Sequence, residues 1–293
     1  MAVVKNMIDI SYANTVTDWS KVAKNVDAVI IRIGYRSYAT GRIYEDAKFR
    51  SHTTGAIGAT VPKGFYFMSQ AVNEQEAREE ADFCHGMVGS LDFDMPVFID
   101  SEWSNNKKNG RADSISKTQR TKVCVAFCKR LTELGVRAGV YASKSWFNAH
   151  LDVTQLTDYY IWCAQYNIKC TAKHRVDIWQ HTSSGTVPGI AGRVDRNKCY
   201  VCFERVTAEK NPFREPASDV KRGKTGNDAG WVQWYLWRFG LFVDEHGNAD
   251  VSQVDQQFGK DTQAAVKEAQ GRLGMPQTGV VKAADRAAWK KLC

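Results

Sequence analysis

The most informative segment of the chain is MPVFIDSEWS, residues 95–104. Pro96 suits the first residue of a strand, and the apolar run VFI that follows is typical of a strand buried on both faces. The run ends at two carboxylates, Asp100 and Glu102, which one residue separates. Since residues i and i+2 of a strand point to the same face, we expect these carboxylates to project together, with Cα atoms ~6–7 Å apart.

A pair of carboxylates at this separation is suited to glycoside hydrolysis. One acid protonates the leaving oxygen, and the other stabilises or attacks the developing cation. Like charges so close together also raise one of the two pKa values, as a general acid near neutral pH requires. Because a D-x-E triplet also occurs at ordinary solvated strand ends, the rest of the chain has to decide between the two interpretations.

Short apolar segments alternate with helix-like segments through the first 200 residues. The predicted strands cover 6–11, 27–33, 63–67, 96–102, 137–141, 159–166, 176–180 and 192–195. The predicted helices cover 18–24, 44–54, 73–87, 118–134 and 144–150, with Asp18 and Asn73 as N-caps. This alternation predicts a parallel (β/α) barrel, and the scarcity of helices after Tyr141 predicts that it is irregular.

Polar residues at the C-terminal ends of barrel strands line the active site of such folds. Here those ends carry Asp9, Tyr35, Tyr66, Asp100, Glu102, Tyr141, Tyr166, Gln180 and Asp195. We predict that the four acids line the site together. Candidates for substrate binding are Tyr35, Tyr66, Tyr141, Tyr166, Trp179 and Gln180. Several acids and aromatic rings at one rim are typical of a site that cleaves sugars.

The composition excludes several classes of protein. The formal charge of +8 favours an anionic polymer as partner, but no nucleic-acid motif and no long Lys/Arg run is present, so we expect no nucleic acid. No apolar run approaches the ~18 residues of a membrane span, so we expect no membrane insertion. The first seven residues lack the pattern of a secretory signal peptide. The sequence carries no indication of oligomeric state.

The cysteines raise the question of a metal site. Cys199 and Cys202 form a C-x2-C pair, but no second pair has the usual zinc-ligand spacing. We therefore predict no metal and no cofactor. Without an export signal, the eight cysteines are expected to be reduced and mostly buried.

Several segments together resemble glycoside hydrolase family 25, the muramidases that include many phage endolysins. The matching segments are MIDIS at 7–11, VIIRIGY at 29–35, PVFIDSE at 96–102, IWCAQY at 161–166 and WQHTSSGTVPGIAGRVD at 179–195. They occur in family order over residues 5–205. Cys163 departs from the pattern, since the family usually has an aliphatic residue there.

This resemblance implies a lysozyme that hydrolyses the β-1,4 bond between N-acetylmuramic acid and N-acetylglucosamine in bacterial peptidoglycan, with retention of configuration. It implies that Glu102 is the acid/base, with Asp9, Asp100 and Asp195 completing the acidic cluster. An endolysin would be made in the host bacterial cytoplasm and act on the cell wall after release.

After the predicted barrel domain, residues 1–206, the composition changes. Residues 207–227 are rich in charge and include two prolines, which predicts a linker, although a surface loop within one large domain is the alternative. Residues 228–293 are predicted to form a small all-α domain with helices over 228–240, 263–273 and 283–292.

The C-terminal region resembles the three-helix peptidoglycan-binding module. The matching segments are WVQ at 231–233, FGKDT at 258–262, AVKEAQ at 265–270 and TGV at 278–280. Trp231, Trp234 and Trp237 lie three residues apart and would form one ribbon on a helix. Because a ~65-residue domain has little room to bury these three and Trp289, we expect the ribbon to bind the cell wall.

Two alternatives remain open. A chitinase or another glycosidase on a similar barrel would usually carry D-x-D-x-E, but Phe98 stands where the first of those acids belongs. A non-catalytic wall-binding protein on the same fold would be expected to have lost its acids, whereas all four are present.

Overall fold

The computed structural model describes residues 5–89, 91–201, 203, 211–238, 241–242, 251–272 and 275–290. The chain forms two compact units. The first comprises residues 1–85 and 93–206, and the second comprises residues 86–92 and 207–293. The predicted boundaries at 206 and 228 stay predictions.

The elements follow one another in the order that the sequence predicts for a β/α fold. The strands are β1 (Lys5–Ile10), β2 (Thr15–Val16), β3 (Ala28–Arg36), β4 (Ile43–Glu45), β5 (Lys63–Met68), β6 (Val97–Asp100), β7 (Ala138–Ser143), β8 (Tyr160–Ala164), β9 (Ile178–Gly185), β10 (Ile190–Ala191) and β11 (Val194–Cys199). The helices are α1 (Trp19–Ala23), α2 (Phe49–Gly58), α3 (Glu74–Val88), α4 (Lys117–Glu133), α5 (Lys144–His150), α6 (Asn227–Arg238), α7 (Lys260–Arg272) and α8 (Ala283–Trp289), with 3-10 turns at Val153–Gln155 and Val251–Gln253.

Eight strands close into the predicted barrel. Their order is β1-β3-β5-β6-β7-β8-β9-β11, and the barrel closes because β1 pairs with both β3 and β11. The predicted irregularity includes the last strand, since β11 runs antiparallel to both neighbours while the other barrel strands pair in parallel. The reason is the short connection between Gly185 and Val194, because a parallel crossover needs a dozen residues or more.

The alternation of side chains along the strands separates an apolar core from a polar rim. The buried core inside the barrel includes Met7, Ile30, Phe98, Ile178 and Cys199. On each of these five strands, the side chain two positions closer to one end of the barrel is polar and points to the same face. These polar residues are, in the same order, Asp9, Arg32, Asp100, Gln180 and Asn197. This rim is the end at which the parallel strands finish, and it is the predicted place of the site.

The helix starts follow the local signals, with one exception. The Asp18 side chain accepts from the Lys21 amide to cap α1, and the Asn73 side chain accepts from the Glu76 amide at the start of α3. The predicted helix over 44–54 is wrong at its start. Tyr44 lies in β4, which pairs with the end of β3, and α2 begins only at Phe49.

The second unit contains the three predicted helices around one apolar core. Residues 229–236 of α6 are all buried, so this helix is enclosed on every side. Trp231 and Trp234 are 2% and 5% exposed and belong to the core with Trp289, while Trp237 packs against it partly buried. The expectation that this unit cannot bury its tryptophans, and that the ribbon is displayed to the wall, is therefore wrong for Trp231 and Trp234.

The extra cover for α6 comes from residues that the sequence analysis placed in the linker. Val220 is fully buried in the core, and its backbone exchanges two hydrogen bonds with Val281, at 3.0 and 2.8 Å. Phe213 also packs on the core, at Gly230, where a Cβ atom would lie 2.6 Å from the ring. Residues 211–226 thus include structural parts of the second unit.

Two buried glutamines have structural roles in the second unit; Gln233 ends the segment WVQ and Gln270 ends the segment AVKEAQ. The Gln233 side chain donates to Asp255 Oδ1 at 2.7 Å and accepts from the Gln256 amide at 2.7 Å. The Gln270 side chain donates to Val280 O and accepts from the Gly279 amide, both at 3.0 Å. Each amide side chain therefore joins a helix to the loop that faces it.

Candidate active site

Three of the four predicted acids lie on barrel strands at the polar rim. Asp9 is the penultimate residue of β1, Asp100 is the last residue of β6, and Asp195 is the second residue of β11. Because β11 runs in the opposite direction, its acid must lie near the start of the strand to reach the same rim. Asp9 and Asp195 are paired directly in the antiparallel register.

Glu102 occupies a different place from the one its spacing predicts. The expectation that Asp100 and Glu102 share one strand face is wrong, since β6 ends at Asp100 and Glu102 lies in a bend beyond it. The Ser101 amide still donates to Tyr141 O at 3.0 Å, and the chain leaves the sheet after that bond. The direction of the Glu102 side chain is therefore set by the loop.

An aromatic cluster holds this loop on either side of Glu102. Trp146 Nε1 donates to Ser101 Oγ at 3.2 Å. The ring centroids of Trp103 and Trp146 are 4.6 Å apart in an edge-to-face arrangement, and His150 lies 4.3 Å from Trp146. Since both neighbours of Glu102 contact Trp146, helix α5 fixes the position of the acid.

A network of amide and phenol groups holds Asp9. Gln180 Nε2 and Asn197 Nδ2 both donate to Asp9 Oδ2, at 3.0 and 2.8 Å. The Tyr141 and Tyr166 hydroxyls donate to Gln180 Oε1 at 3.0 and 3.1 Å. Three predicted substrate-binding residues thus lie at the rim, joined to one another.

The carboxyl groups all have raised pKa values because they lie close together and out of water. Burial, and then the charge of Asp195, raises the pKa of Asp9 to about 8. Burial, and then the charge of Asp195, raises the pKa of Glu102 to about 7, while the charge of Arg32 opposes the change. Burial and the charge of Glu102 raise the pKa of Asp100 well above its usual range, and burial raises the pKa of Asp195.

The acids therefore have the properties that acid/base chemistry requires. A carboxyl group with a pKa near 7 holds its proton in a large share of molecules at neutral pH and can donate it. Asp100 is 5% exposed, and its Oδ1 atom has no hydrogen-bond partner among the described residues. Glu102 is suited to be a general acid, and Asp100 contributes a buried carboxyl oxygen that has no partner among the described residues.

The remaining substrate-binding candidates divide into two groups. Tyr66 lies on β5 with its ring against Trp162 in the barrel, and burial and nearby acids raise its pKa well above the usual value. Tyr35 lies on β3 and stacks on Tyr44, with centroids 5.6 Å apart. Trp179 does not fit the prediction, because its neighbours on β9 face the barrel interior and its own side chain faces the other side.

Trp179 has a structural environment instead. It is 3% exposed, its indole Nε1 donates to Gln165 O at 2.8 Å, and the Lys198 ammonium lies 5.6 Å from the ring centroid. We conclude that Trp179 supports the end of β8 from outside the barrel.

Two rim residues were not among the predicted site residues. Arg32 Nε donates to Asp46 Oδ2 at 2.7 Å, and its charge lowers the pKa values of Asp100 and Glu102. Asn197 is 1% exposed and donates to Asp9. The available signal for Arg32 was a charged residue within the apolar run VIIRI.

A cleft of about 520 Å³ opens next to these acids. Met68, which lines it, is paired in register with Asp100, and Ser104 lies two residues after Glu102. The lining residues are Tyr12, Arg32, Tyr35, Arg36, Tyr38, Glu45, Ala47, Met68, Gln70 and Ser104.

Other kinds of site find little support in the described part of the chain. Within it, no group of three or more His, Cys, Asp or Glu residues is arranged to hold a metal ion. Cys202 of the C-x2-C pair lies outside the described residues. None of the described helices is both long enough and apolar enough to cross a membrane.

Comparisons with known proteins agree with this geometry. A peptidoglycan binding domain model matches residues 225–292. Lysozyme M1 of Streptomyces globisporus is 24% identical over 214 residues, which cover 70% of each chain.

Two solved structures share the fold of the first unit. The modular autolysin LytC of Streptococcus pneumoniae, solved with a synthetic peptidoglycan ligand, is 26% identical with a TM-score of 0.59 and covers 67% of this chain. The match spans only 47% of that autolysin. The catalytic domain of endolysin ply40 from bacteriophage P40 of Listeria monocytogenes is 24% identical with a TM-score of 0.53, over 68% of this chain and 93% of that domain.

The family match covers most of the barrel. The model of the glycosyl hydrolases family 25 matches residues 8–190, which include the strands of Asp9 and Asp100 and the loop of Glu102. Asp195 lies just beyond the matched range and is placed at the site by its pairing with Asp9. Since this match covers more than half of the chain, the protein belongs to glycosyl hydrolases family 25 and is a glycoside hydrolase.

Proposed function

We propose that this glycoside hydrolase is a muramidase that cleaves the β-1,4 bond between N-acetylmuramic acid and N-acetylglucosamine in bacterial peptidoglycan. The main support is the raised pKa of Glu102, about 7, which results from its position in a cluster of four acids at the rim of a family 25 barrel. The lysozyme relative and the peptidoglycan binding domain match support peptidoglycan as the substrate.

Glu102 acts as the general acid and then as the general base. It donates its proton to the leaving oxygen and afterwards removes a proton from the attacking water. Its half-buried position beside Trp103 and the nearby charge of Asp195 favour the protonated form at the start. In its ionised form Asp195 adds negative charge that stabilises the developing cation. Asp9, with a pKa of about 8, keeps its proton in most molecules at neutral pH.

The product keeps its anomeric configuration under this proposal. Retention can follow from attack by Asp100 or from attack by the substrate's own acetamido oxygen, which Asp100 would then orient. The raised pKa of Asp100 disfavours its carboxylate as a nucleophile, and the unpartnered Oδ1 suits a hydrogen bond to an acetamido group. The second route is therefore the better supported one.

The test combines product analysis and stereochemistry. Digestion of soluble muropeptides should give new reducing ends on N-acetylmuramic acid, identified by reduction with borohydride followed by mass spectrometry. Proton NMR of the first products should show the β-anomer before mutarotation. New reducing ends on N-acetylglucosamine would contradict the bond, and an initial α-anomer would contradict retention. Binding to walls with no cleavage would favour a non-catalytic wall-binding protein, and cleavage of chitin alone would favour a chitinase.

We also propose that the second unit binds the wall and that the enzyme works as an endolysin, which is made in the host cytoplasm and reaches the wall after release. Buried, unbridged thiols at Cys84, Cys124, Cys128 and Cys163 are compatible with a reducing compartment of synthesis. Fractionation of producing cells before and after lysis would test this location. Enzyme secreted into the medium by intact cells would contradict it.

A further inference from the structure

A cation, Arg32, lines the cleft beside the acids. Arg32 projects from β3 at the polar rim, and its side chain is 12% exposed. The cleft that it lines also includes Met68 and Ser104, which adjoin Asp100 and Glu102 in register and in sequence. The acids themselves are not among the lining residues, but the charge of Arg32 acts on both Asp100 and Glu102, so the guanidinium lies close to them.

One edge of this guanidinium is fixed by a buried carboxylate. Arg32 Nε donates to Asp46 Oδ2 at 2.7 Å, and Asp46 is 1% exposed. Asp46 also accepts from the Tyr12 amide at 3.0 Å and from the Lys48 amide at 2.8 Å, which fixes the carboxylate itself. Within the described part of the chain, Nη1 and Nη2 of Arg32 have no hydrogen bond. Their N–H groups remain available to a ligand.

Aromatic rings hold the guanidinium in place. Its central carbon lies 4.8 Å from the ring centroid of Tyr12 and 5.7 Å from that of Tyr35. Tyr35 is supported in turn by stacking on Tyr44, and Tyr12 is 58% exposed. A planar cation that is held by a carboxylate and lies near two rings loses little freedom on binding, which favours recognition by its free edge.

The other charged residues that line the cleft are already paired. Arg36 donates to Glu80 Oε1 at 2.8 Å, to Gly41 O at 2.8 Å and to Glu76 O at 2.9 Å. Glu45 accepts two hydrogen bonds from Arg50, at 2.8 and 3.0 Å. Among the described lining residues, Arg32 is thus the charged group with donors available to a ligand.

We propose that Arg32 binds a carboxylate on the muramic acid side of the substrate, a proposal that rests on the muramidase function above. Two parallel N–H donors match the two oxygens of a carboxylate. The raised pKa values of Asp100 and Glu102 reduce the repulsion that an incoming anion would meet. The carboxylate comes either from the free lactyl group of a peptide-free glycan or from a stem peptide, and the experiment separates these sources.

The test compares matched pairs of muramyl glycans. The first pair is a peptide-free glycan with free lactyl carboxylates and its methylamide. The second pair is a glycan with stem peptides whose carboxylates are free and the same glycan with those carboxylates amidated. For each pair, the ratio of kcat/KM values is measured with the full chain. A ratio within one preparation is insensitive to partial unfolding, which matters because Arg32→Gln leaves Asp46 without its cation.

We expect the wild type to prefer the carboxylate member of one pair by at least about tenfold, the scale of a lost hydrogen bond to a charged group. Arg32→Gln should lose this preference, and Arg32→Lys, which keeps a cation beside Asp46, should fall between the two. The matched control is Arg78→Gln, since Arg78 of α3 is exposed and pairs with Glu133 of α4; this variant should keep the wild-type ratio.

Equal wild-type rates within both pairs would overturn the proposal, and so would an unchanged preference in Arg32→Gln and Arg32→Lys. In either case cleavage of the muramyl glycans by the wild type would leave the muramidase function standing. Failure of the wild type to cleave any of the four glycans would overturn both proposals together.

Discussion

Asp9 and Asp195 are direct cross-strand partners at the rim of the barrel, on two antiparallel strands. Like charges in this position repel each other, and burial adds to the cost of ionising them. Two amide groups that donate to Asp9 offset part of this repulsion. The rest is avoided because the pKa of Asp9 is about 8, so this carboxyl group is mostly protonated at neutral pH. The active rim therefore holds protons at pH values where ordinary carboxyl groups have lost them.

This arrangement predicts that stability falls as pH rises. The pKa of Glu102 is about 7 in the folded chain, above the ~4.3 of an unfolded glutamate, so the native state binds more protons between these values. The free energy of unfolding should then decrease from about pH 5 to about pH 8.

We expect Glu102→Gln to unfold at a higher temperature than the wild type at the upper pH, with a smaller difference at the lower pH. Thermal unfolding followed by circular dichroism measures this, and Asp158→Asn, an exposed change outside the cluster, is the control. A difference in unfolding temperature between the wild type and Glu102→Gln that does not change with pH would contradict the prediction.

The same substitution should remove activity without removing the fold. We expect Glu102→Gln to lose ~10²–10⁴-fold in kcat on soluble muropeptides, because the amide cannot transfer a proton to the leaving oxygen. Glu133→Gln, at a half-exposed residue paired with Arg78 and Arg130, should keep wild-type activity. Lysis at the wild-type rate by folded Glu102→Gln would end the assignment of Glu102 as general acid.

The pH dependence of kcat/KM should report Glu102 and its neighbour Arg32. Activity should decline as pH rises through about 7, where Glu102 loses its proton. Arg32→Gln should move this alkaline limb to higher pH, since the positive charge of Arg32 lowers the pKa of Glu102. The profile of Arg78→Gln should match that of the wild type. A limb that stays in place in Arg32→Gln would show that this charge does not act on the acid.

The second unit is predicted to increase lysis of intact cells without changing the chemistry. A chain that ends at Thr207 should cleave soluble muropeptides at an unchanged rate but lyse cells more slowly, because a wall-binding unit raises the local concentration of the enzyme. Residues 207–293 alone should sediment with purified walls, and wall binding by the full chain should weaken at high salt if its net charge of +8 contributes. Lysis unaffected by truncation, together with no sedimentation, would assign this unit another role.

Trp231 is predicted to stabilise this unit rather than to contact sugar. It is 2% exposed and stacks on Trp289 with the planes at 9°. Trp231→Ala should cost ~3–5 kcal/mol in the free energy of unfolding, as for other large core residues. Thermal unfolding of residues 207–293 measures this, with the exposed Lys221→Ala as control. Normal stability of Trp231→Ala combined with lost wall binding would instead indicate that Trp231 contacts the cell wall directly.

The sequence correctly predicted the features that depend on residues close together in the chain. The apolar runs of the barrel strands, the N-caps Asp18 and Asn73 and the three C-terminal helices all depend on residues close in sequence, and the structure confirms them. The start of α2 was missed because the strand at Tyr44 exists only through its pairing with β3, which no local pattern displays.

Errors arose wherever a side chain's direction depends on distant partners. Glu102 was placed on a strand because its spacing fits one, but the ladder ends with the bond from Ser101 to Tyr141. Trp179 precedes a rim residue but faces the other side of the sheet. Trp231 and Trp234 are buried because Val220 and Phe213, distant from them in sequence, cover α6.

The sequence by itself determined the barrel, the identity of the four acids and the family, because apolar periodicity and motif order are written in the linear chain. Only the tertiary structure decided which charges meet. Barrel closure joins β1 to β11, which sets Asp9 opposite Asp195, and the fold of β3 places Arg32 near Asp100 and Glu102. The physical reason is that pKa values and binding geometry depend on distance and burial, and residues far apart in sequence acquire both only when the chain folds.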